Sequence, residues 1–432
     1  MKKIFLFLMS FFMFSSAKAE IHIDITGAQT NPISVAVADF SGLNVSQSIR
    51  QIIVYDLESS GLFRVIDEQA YLQKMHDVNT LPQFENWQTI NAEILIYGTV
   101  ERQEDGSVKL SFRAWDVLSR ELMLAKSLTL SEKDWRRLGH ISADMLFEKV
   151  TGEKGYFDTR LVYIAESGNY QKRMKRLAMM DYDGANHYYL TDGKTMVLTP
   201  RFSPDGKKIA YLSYFKGKPR VYLLDLVSGT EEMIGNFPSM SYAPQFSPDG
   251  KKMLLTLTDK GNSEIYLYDI EKKKKTRLTN HQAIDTSATF SPDMKQIVFN
   301  SDRSGKPQLY VMDADGQNVK RISFGQKGNY MTPVWSPRGD YIAFTKIESG
   351  QFYIGVMKPD GSGERLIAQD FLVEGPSWAP NGRMLVYTRQ SPYDSSVGGK
   401  IHLHVIDISG RNNRPLKTPQ EASDGVWSSL LH

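Results

Sequence analysis

From Arg160 to Trp427 the apolar residues fall in short runs separated by tight turns, and the pattern repeats. Pro200-Arg201-Phe202-Ser203-Pro204-Asp205-Gly206 returns as Pro244 to Gly250, Ala288 to Met294, Pro333 to Gly339 and Pro376 to Gly382. Its aromatic, at Phe202, Phe246, Phe290, Trp335 and Trp378, advances by 44, 44, 45 and 43 residues. A reduced sixth copy, Gly425-Val426-Trp427-Ser428, lies near the end. In each copy the aromatic ends one strand and Ser-Pro-Asp-Gly makes the turn. Proline presets φ at the second turn position, and glycine accepts the backbone required at the fourth. A β-branched and aromatic run follows, such as Ile209 to Leu212. A further strand then ends in aspartate, as in Val221 to Asp225, Ile265 to Asp269 and Leu309 to Asp313.

Four short strands per unit of this length are the sequence form of a β-propeller blade, with a β-solenoid or sandwich as the alternative. The first unit, from Arg160, lacks its leading strand, and the last copy, at Val426-Trp427, lacks its following one. Pairing the two closes a ring of six blades. Residues 32–152 read differently. Ile33 to Val37 is a strand, Ser46 to Glu58 has helical spacing at Ile49, Ile52, Ile53 and Leu57, and Phe63 to Ile66 is a second strand. Glu93 to Gly98 is a buried-type strand, and a hairpin through Glu104-Asp105-Gly106 leads to another at Lys109 to Trp115. Ser131 to Lys149 is predicted as a helix capped by its serine. The fold class is therefore an α/β N-terminal domain followed by an all-β six-bladed β-propeller.

Composition narrows the function classes. The 432 residues are 41% hydrophobic and 23% charged, with no cysteine, which excludes disulfides, thiolate metal sites and a cysteine nucleophile. The net charge of +3 comes from Lys2, Lys3 and Lys18, because without them basic residues only match the 49 acidic ones. A nucleic-acid-attracting global charge is thus absent. Those lysines flank the apolar run Ile4 to Phe14 and the small-x-small site Ala17-Lys18-Ala19, the pattern of a cleaved export signal. A membrane anchor would need roughly 20 apolar residues. The expected division is a signal peptide at 1–19, an extended segment at 20–31, the α/β domain at 32–152, a linker at 153–158 and the propeller at 159–432.

Catalytic motifs are missing: no Gly-x-Ser-x-Gly elbow, zincin motif, Walker loop or dinucleotide fingerprint occurs. The Ser-Pro-Asp acids recur in successive blades, which fits turn formation better than a unique acid–base pair. His402 and His404 alternate on one strand and share a face, but no third ligand is evident, so packing is the commoner meaning. Lys272 to Lys275 reads as an exposed turn. No catalytic residue, cofactor or metal is expected.

What remains is a binding scaffold. The stretches entering each innermost strand should ring one mouth of the channel, and they differ between blades while the turns repeat. They include Met240-Ser241-Tyr242-Ala243, Ile284-Asp285-Thr286-Ser287, Tyr330-Met331-Thr332, Val373-Glu374-Gly375 and Ser423-Asp424-Gly425. Asp285, Glu374 and Asp424 make this mouth acidic, no basic residue occurs in these five stretches, and Tyr242 and Tyr330 are expected to offer apolar contact. Near the start, Ile21, Ile23 and Ile25 alternate within Glu20 to Thr30. That reads either as a strand able to add to another sheet's edge or as the first strand of the α/β domain.

The export signal, extended start, α/β domain and six-fold Phe/Trp-Ser-Pro-Asp-Gly propeller together resemble the TolB family of the bacterial Tol–Pal system. The sequence departs from the repeat at Met294, Arg338 and Asn381. The resemblance covers the whole chain and implies a non-enzymatic periplasmic adaptor, a monomer that meets membranes only through protein partners. It implies that TolA binds Glu20, Ile21, His22, Ile23, Asp24, Ile25, Thr26 and Gly27. It also implies that the lipoprotein Pal docks at the propeller mouth, on Met240, Ala243 and Thr286. Tyr242, Asp285, Tyr330, Glu374 and Asp424 join that mouth by the reading above. Family members support outer-membrane integrity and cell division, and some colicins exploit them. The alternative is a secreted propeller that binds a small molecule or glycan, or keeps weak hydrolase activity.

Overall fold

The computed structural model describes residues 31–431 apart from 169–171, 236, 238–239, 326 and 393–398. The extended segment Glu20 to Gly27 and the export signal lie outside the described residues. In the first domain, β1 (Ile33–Gly42), α1 (Ser46–Ser59), β2 (Phe63–Val65), α2 (Phe84–Thr89), β3 (Ile94–Arg102), β4 (Val108–Asp116), β5 (Leu122–Leu130) and α3 (Trp135–Thr151) follow in order. The sheet order is β2-β1-β3-β4-β5, parallel across β1 and antiparallel from β3 onward. Helix α1 buries Ile49, Ile52, Ile53 and Leu57, the stripe its spacing predicts. It packs closely on α3, since a Cβ at Gly139 would sit 2.7 Å from Ile52.

Two features differ from the sequence reading. Ser131 does not cap a helix: a 3-10 turn at Glu132–Asp134 comes first, and α3 starts at Trp135 with no side-chain cap. The Ser131 hydroxyl donates to the Asp134 carboxylate (2.5 Å) instead of accepting a first-turn N–H. Strand β5 was not anticipated, although Leu122, Leu124, Leu128 and Leu130 alternate along it. Lying at the sheet edge with much of its surface exposed, it lacks the buried run that marks β3.

Residues 160–427 form six four-stranded sheets. The C-terminal strand Glu421–Trp427 pairs with Arg160–Ser167, completing the first blade from both ends of the propeller and fastening the ring. Between the domains the chain is packed tightly. Tyr156 and Phe157 are fully buried and share one apolar cluster with Phe147, Tyr182 and Trp427. Asp144 on α3 accepts the Phe157 and Asp158 N–H groups (2.8 and 3.0 Å), and burial pushes its carboxyl up to about 7. Arg137 forks onto Asp158 (2.9 and 2.7 Å). Among the described residues no helix is long and apolar enough to cross a membrane.

Candidate functional site

The six innermost strands are Val197–Phe202, Met240–Phe246, Asp285–Phe290, Asn329–Trp335, Leu372–Trp378 and Glu421–Trp427. Each neighbours the next around the channel, and the last neighbours the first. Every one slips register by a bulge at the same step. Thr199, Ser287, Thr332, Gly375 and Asp424 take a positive φ there, between 46° and 63°. In four of the six strands a proline stands at the register shift: Pro200, Pro244, Pro333 and Pro376. Proline has no N–H for the ladder, so its recurrence inside a strand signals such a bulge. The sequence carries that signal in the residue that opens the repeat.

The bulges are tied between blades. Asp424 accepts the Thr199 N–H (3.1 Å), and its own N–H donates to Thr388 Oγ1 (3.0 Å). Gly375 N–H donates to Thr345 Oγ1 (3.2 Å), and Arg201 Nε to Gln245 Oε1 (3.0 Å). At the opposite end of the ring, the repeated turns surround a cavity of about 420 Å³. Phe202, Phe246, Phe290, Trp335, Trp378 and Trp427 line it. There Ser203 Oγ donates to Asp205 (2.6 Å), which accepts the Lys207 N–H, while Ser203 Oγ accepts the Lys208 N–H. Ser247–Asp249 and Ser291–Asp293 reproduce this, and Met294 takes the glycine place at φ +61°. Those acids are turn formers.

At the mouth where the inner strands begin, the expected residues separate. Thr286 is half-buried, its hydroxyl donating to Asn300 Oδ1 (3.0 Å). Met240, Tyr242 and Ala243 stand on the inner strand of the third blade, paired through Met240↔Thr258 and Tyr242↔Thr256. Glu374 is exposed and Asp424 half-buried. Desolvation by the channel walls, and then the neighbouring Asp424 charge, hold the Glu374 carboxyl above its usual range even though its side chain meets solvent.

Tyr330 and Asp285 need correction. Tyr330 is 0% exposed and its hydroxyl donates to Glu364 (2.9 Å), so it supports the fifth blade from inside. Asp285 is also fully buried, gripped by the Arg303 guanidinium through two contacts (3.1 and 2.9 Å). The mouth is therefore not purely acidic. Hairpins from the middle strands bring Arg303 to Asp285, and Lys346 to Glu348 and Glu364. Reading only the stretches before the inner strands missed these partners: Arg303 sits in a hairpin turn 18 residues after Asp285, and Glu364 in a loop 34 residues after Tyr330.

Other exposed apolar side chains lie at this face. Met196, Ile284, Phe324 and Phe371 occupy the links entering the inner strands of four blades, and Phe215 lies in a hairpin at the same end. Their exposures run from 43% for Met196 and Ile284 to 68% for Phe324. The sequence signal was one large apolar residue per link, at unequal steps from the repeated turn. His404 is buried beside Tyr387, with Nδ1 3.2 Å from Asn413 Oδ1, and burial lowers its pKa. Among the described residues, the one grouping of three potential metal ligands is His140, Asp181 and Asp183, away from this mouth.

A closed six-bladed propeller with an amino-terminal α/β domain on its turn side, and a channel mouth left open opposite, defines a class of two-domain scaffold proteins. Residues 21–123 match the TolB amino-terminal domain and residues 147–431 the TolB beta propeller domain, and the chain belongs to the TolB family. It is 52% identical over 421 residues to the Tol-Pal system protein TolB of Paramagnetospirillum magneticum, covering 96% of this chain and 94% of that one. It is 44% identical to the Tol-Pal system protein TolB of Gluconobacter oxydans over 415 residues, 96% and 90% of the two chains. The crystal structure of TolB from Acinetobacter baumannii superposes with a TM-score of 0.83 at 29% identity, covering 94% of this chain and 99% of that chain.

Proposed function

We propose that the protein is a non-enzymatic adaptor of the Tol–Pal system, exported to the periplasm with residues 1–19 removed. The segment 20–31 then engages TolA through Glu20 to Gly27, the α/β domain spans 32–152, and residues 153–158 join it to the propeller at 159–432. Pal docks at the open mouth, over Met240, Tyr242, Ala243, Thr286, Glu374 and Asp424, with Asp285 and Tyr330 as buried supports. The role is in outer-membrane integrity and cell division, and colicins that target the system would use the same surfaces. Nucleic acid is not a partner, membranes are met only through proteins, and the chain acts as a monomer.

The observation that carries this reading is the crown of exposed apolar side chains, Met196, Ile284, Phe324 and Phe371, at the mouth facing away from the α/β domain. Large exposed apolar groups over an ordered, hydrogen-bonded floor suit a protein partner, whose binding energy concentrates in a few such anchors. The test is surface-plasmon binding of the chain starting at Glu20 to immobilised Pal and to the TolA C-terminal domain. Removing Glu20 to Thr30 should abolish TolA binding and leave Pal binding and thermal stability nearly unchanged. Loss of Pal binding, or unfolding of the α/β domain, in that deletion would sink the two-site reading.

A further inference from the structure

Where α1 and α3 meet the first blade, a buried side-chain cluster has a donor set that the adaptor role does not use. His140 on α3 is 2% exposed. Its Nδ1 lies 2.7 Å from Asp56 Oδ2 on α1. Asp56 is itself fully buried and accepts the Tyr182 hydroxyl from the first blade (2.5 Å). The other ring nitrogen, His140 Nε2, is buried without a hydrogen-bond partner. It faces Asp183 Oδ2 across the domain seam at 4.0 Å. Asp181, two residues earlier, brings a second carboxylate, and one ligand atom from each of His140, Asp181 and Asp183 lies within 4.8 Å of the others.

A carboxylate that holds Nδ1 fixes the ring's orientation and leaves Nε2 to a metal, the usual support behind a metal-bound histidine. In this conformation the two seam carboxylates are instead held by Arg136, one helical turn before His140. Its Nη2 contacts Asp183, and its Nε lies 3.5 Å from Asp181. A guanidinium is large, and it keeps the carboxylates apart. Around a tetrahedral zinc, neighbouring ligand atoms sit about 3.3 Å from one another. Closing the present spacing to that value requires movements of about an ångström.

We propose that this seam is a zinc-class divalent metal site, ligated by His140 Nε2, Asp181 and Asp183, in which the metal displaces the Arg136 guanidinium. The mixed imidazole and carboxylate donors favour zinc over calcium or magnesium, which take oxygen ligands. Because His140 belongs to α3 and both aspartates to the first blade, the bound metal bridges the two domains. The site stands apart from both the mouth and the N-terminal segment.

The test uses the full chain from Glu20, titrated with zinc chloride by calorimetry and with cobalt(II) by visible absorption. One zinc per chain is expected, with tetrahedral cobalt absorption and a higher melting temperature. Arg136→Gln removes the competing cation and should tighten binding by about tenfold or more, while Asp181→Asn should weaken it by a similar factor. His140 sits on a buried charge, so its replacement risks unfolding. In the unmodified protein, the 15N signals of the His140 imidazole should instead shift on adding zinc. An unchanged affinity in either variant, or unmoved His140 nitrogens, would overturn the proposal. In that case any zinc taken up sits elsewhere, such as at His402 and His404.

Discussion

At the turn end of the ring, Ser203, Ser247 and Ser291 each hold an aspartate in the same small hydrogen-bonded loop, 44 residues apart. At the mouth end, the links into four blades carry Met196, Ile284, Phe324 and Phe371, while the acids Asp285, Glu374 and Asp424 each have a different environment. The carboxylates also titrate in opposite senses. Hydrogen bonds from the serine hydroxyls hold Asp205, Asp249 and Asp293 below their usual range. Desolvation pushes Asp285 and Glu374 above theirs. Charge at the turn end stabilises the fold, and charge at the mouth costs stability. A site that keeps costly charges and exposed apolar groups is set by a requirement other than folding.

The largest effect expected on breaking this contrast is at the closure. Trp427 is 5% exposed, and its Nε1–H donates to Thr159 Oγ1 (2.7 Å), joining the last inner strand to the start of the propeller. Trp427→Ala should lower unfolding free energy by about 3–5 kcal/mol, measured by denaturant titration. A loss below about 1 kcal/mol would mean that the ring does not depend on its fastening strand. At the mouth, stability and binding should separate. The double variant Phe324→Ala, Phe371→Ala should change stability by about 0.5 kcal/mol or less. It should nevertheless weaken Pal binding by about 2 kcal/mol, roughly thirtyfold. Equal losses in both measurements would erase the difference between the ends.

A smaller effect is the acid sensitivity of the turns. With folded pKa values below those of the unfolded chain, Asp205, Asp249 and Asp293 add stability that is present above about pH 4. It is lost as pH falls through their folded values. Changing all three to Asn should flatten the decline of melting temperature below pH 4. A parallel decline in the variant would show that these loops do not feel the charge.

The legible parts of this fold were those where one local rule sufficed. The repeat spacing gave six blades because Ser-Pro-Asp-Gly needs only its own residues to make its turn, and the incomplete units at Arg160 and Val426 gave the closure. Helix α1 was readable from Ile49, Ile53 and Leu57 because one face is buried along its length. Strand β5 was missed because an exposed edge strand makes weak demands on composition. At the mouth, the sequence placed Asp285 and Tyr330 on inner strands, but it could not show Arg303 arriving from a hairpin turn, or Glu364 from a loop, to partner them. Seam contacts such as Asp56 with His140, 84 residues apart, have no local signature at all.

The finest test concerns one side chain, Glu374. Its folded pKa is raised, first by desolvation and then by Asp424, so ionising it costs more in the folded chain than in the unfolded one. That penalty is fully present above the folded pKa and disappears as pH falls below the unfolded value of about 4.3. Glu374→Gln should therefore raise the melting temperature slightly at pH 7 and leave it unchanged near pH 4, whereas a turn aspartate changed to Asn behaves in the opposite way. If the charge is kept for the partner, the same variant should associate with Pal more slowly and with a shallower salt dependence, and dissociate at nearly the parent rate. Stabilisation without any change in association would mean that Glu374 is merely tolerated in the channel wall, and that the crown alone draws the partner in.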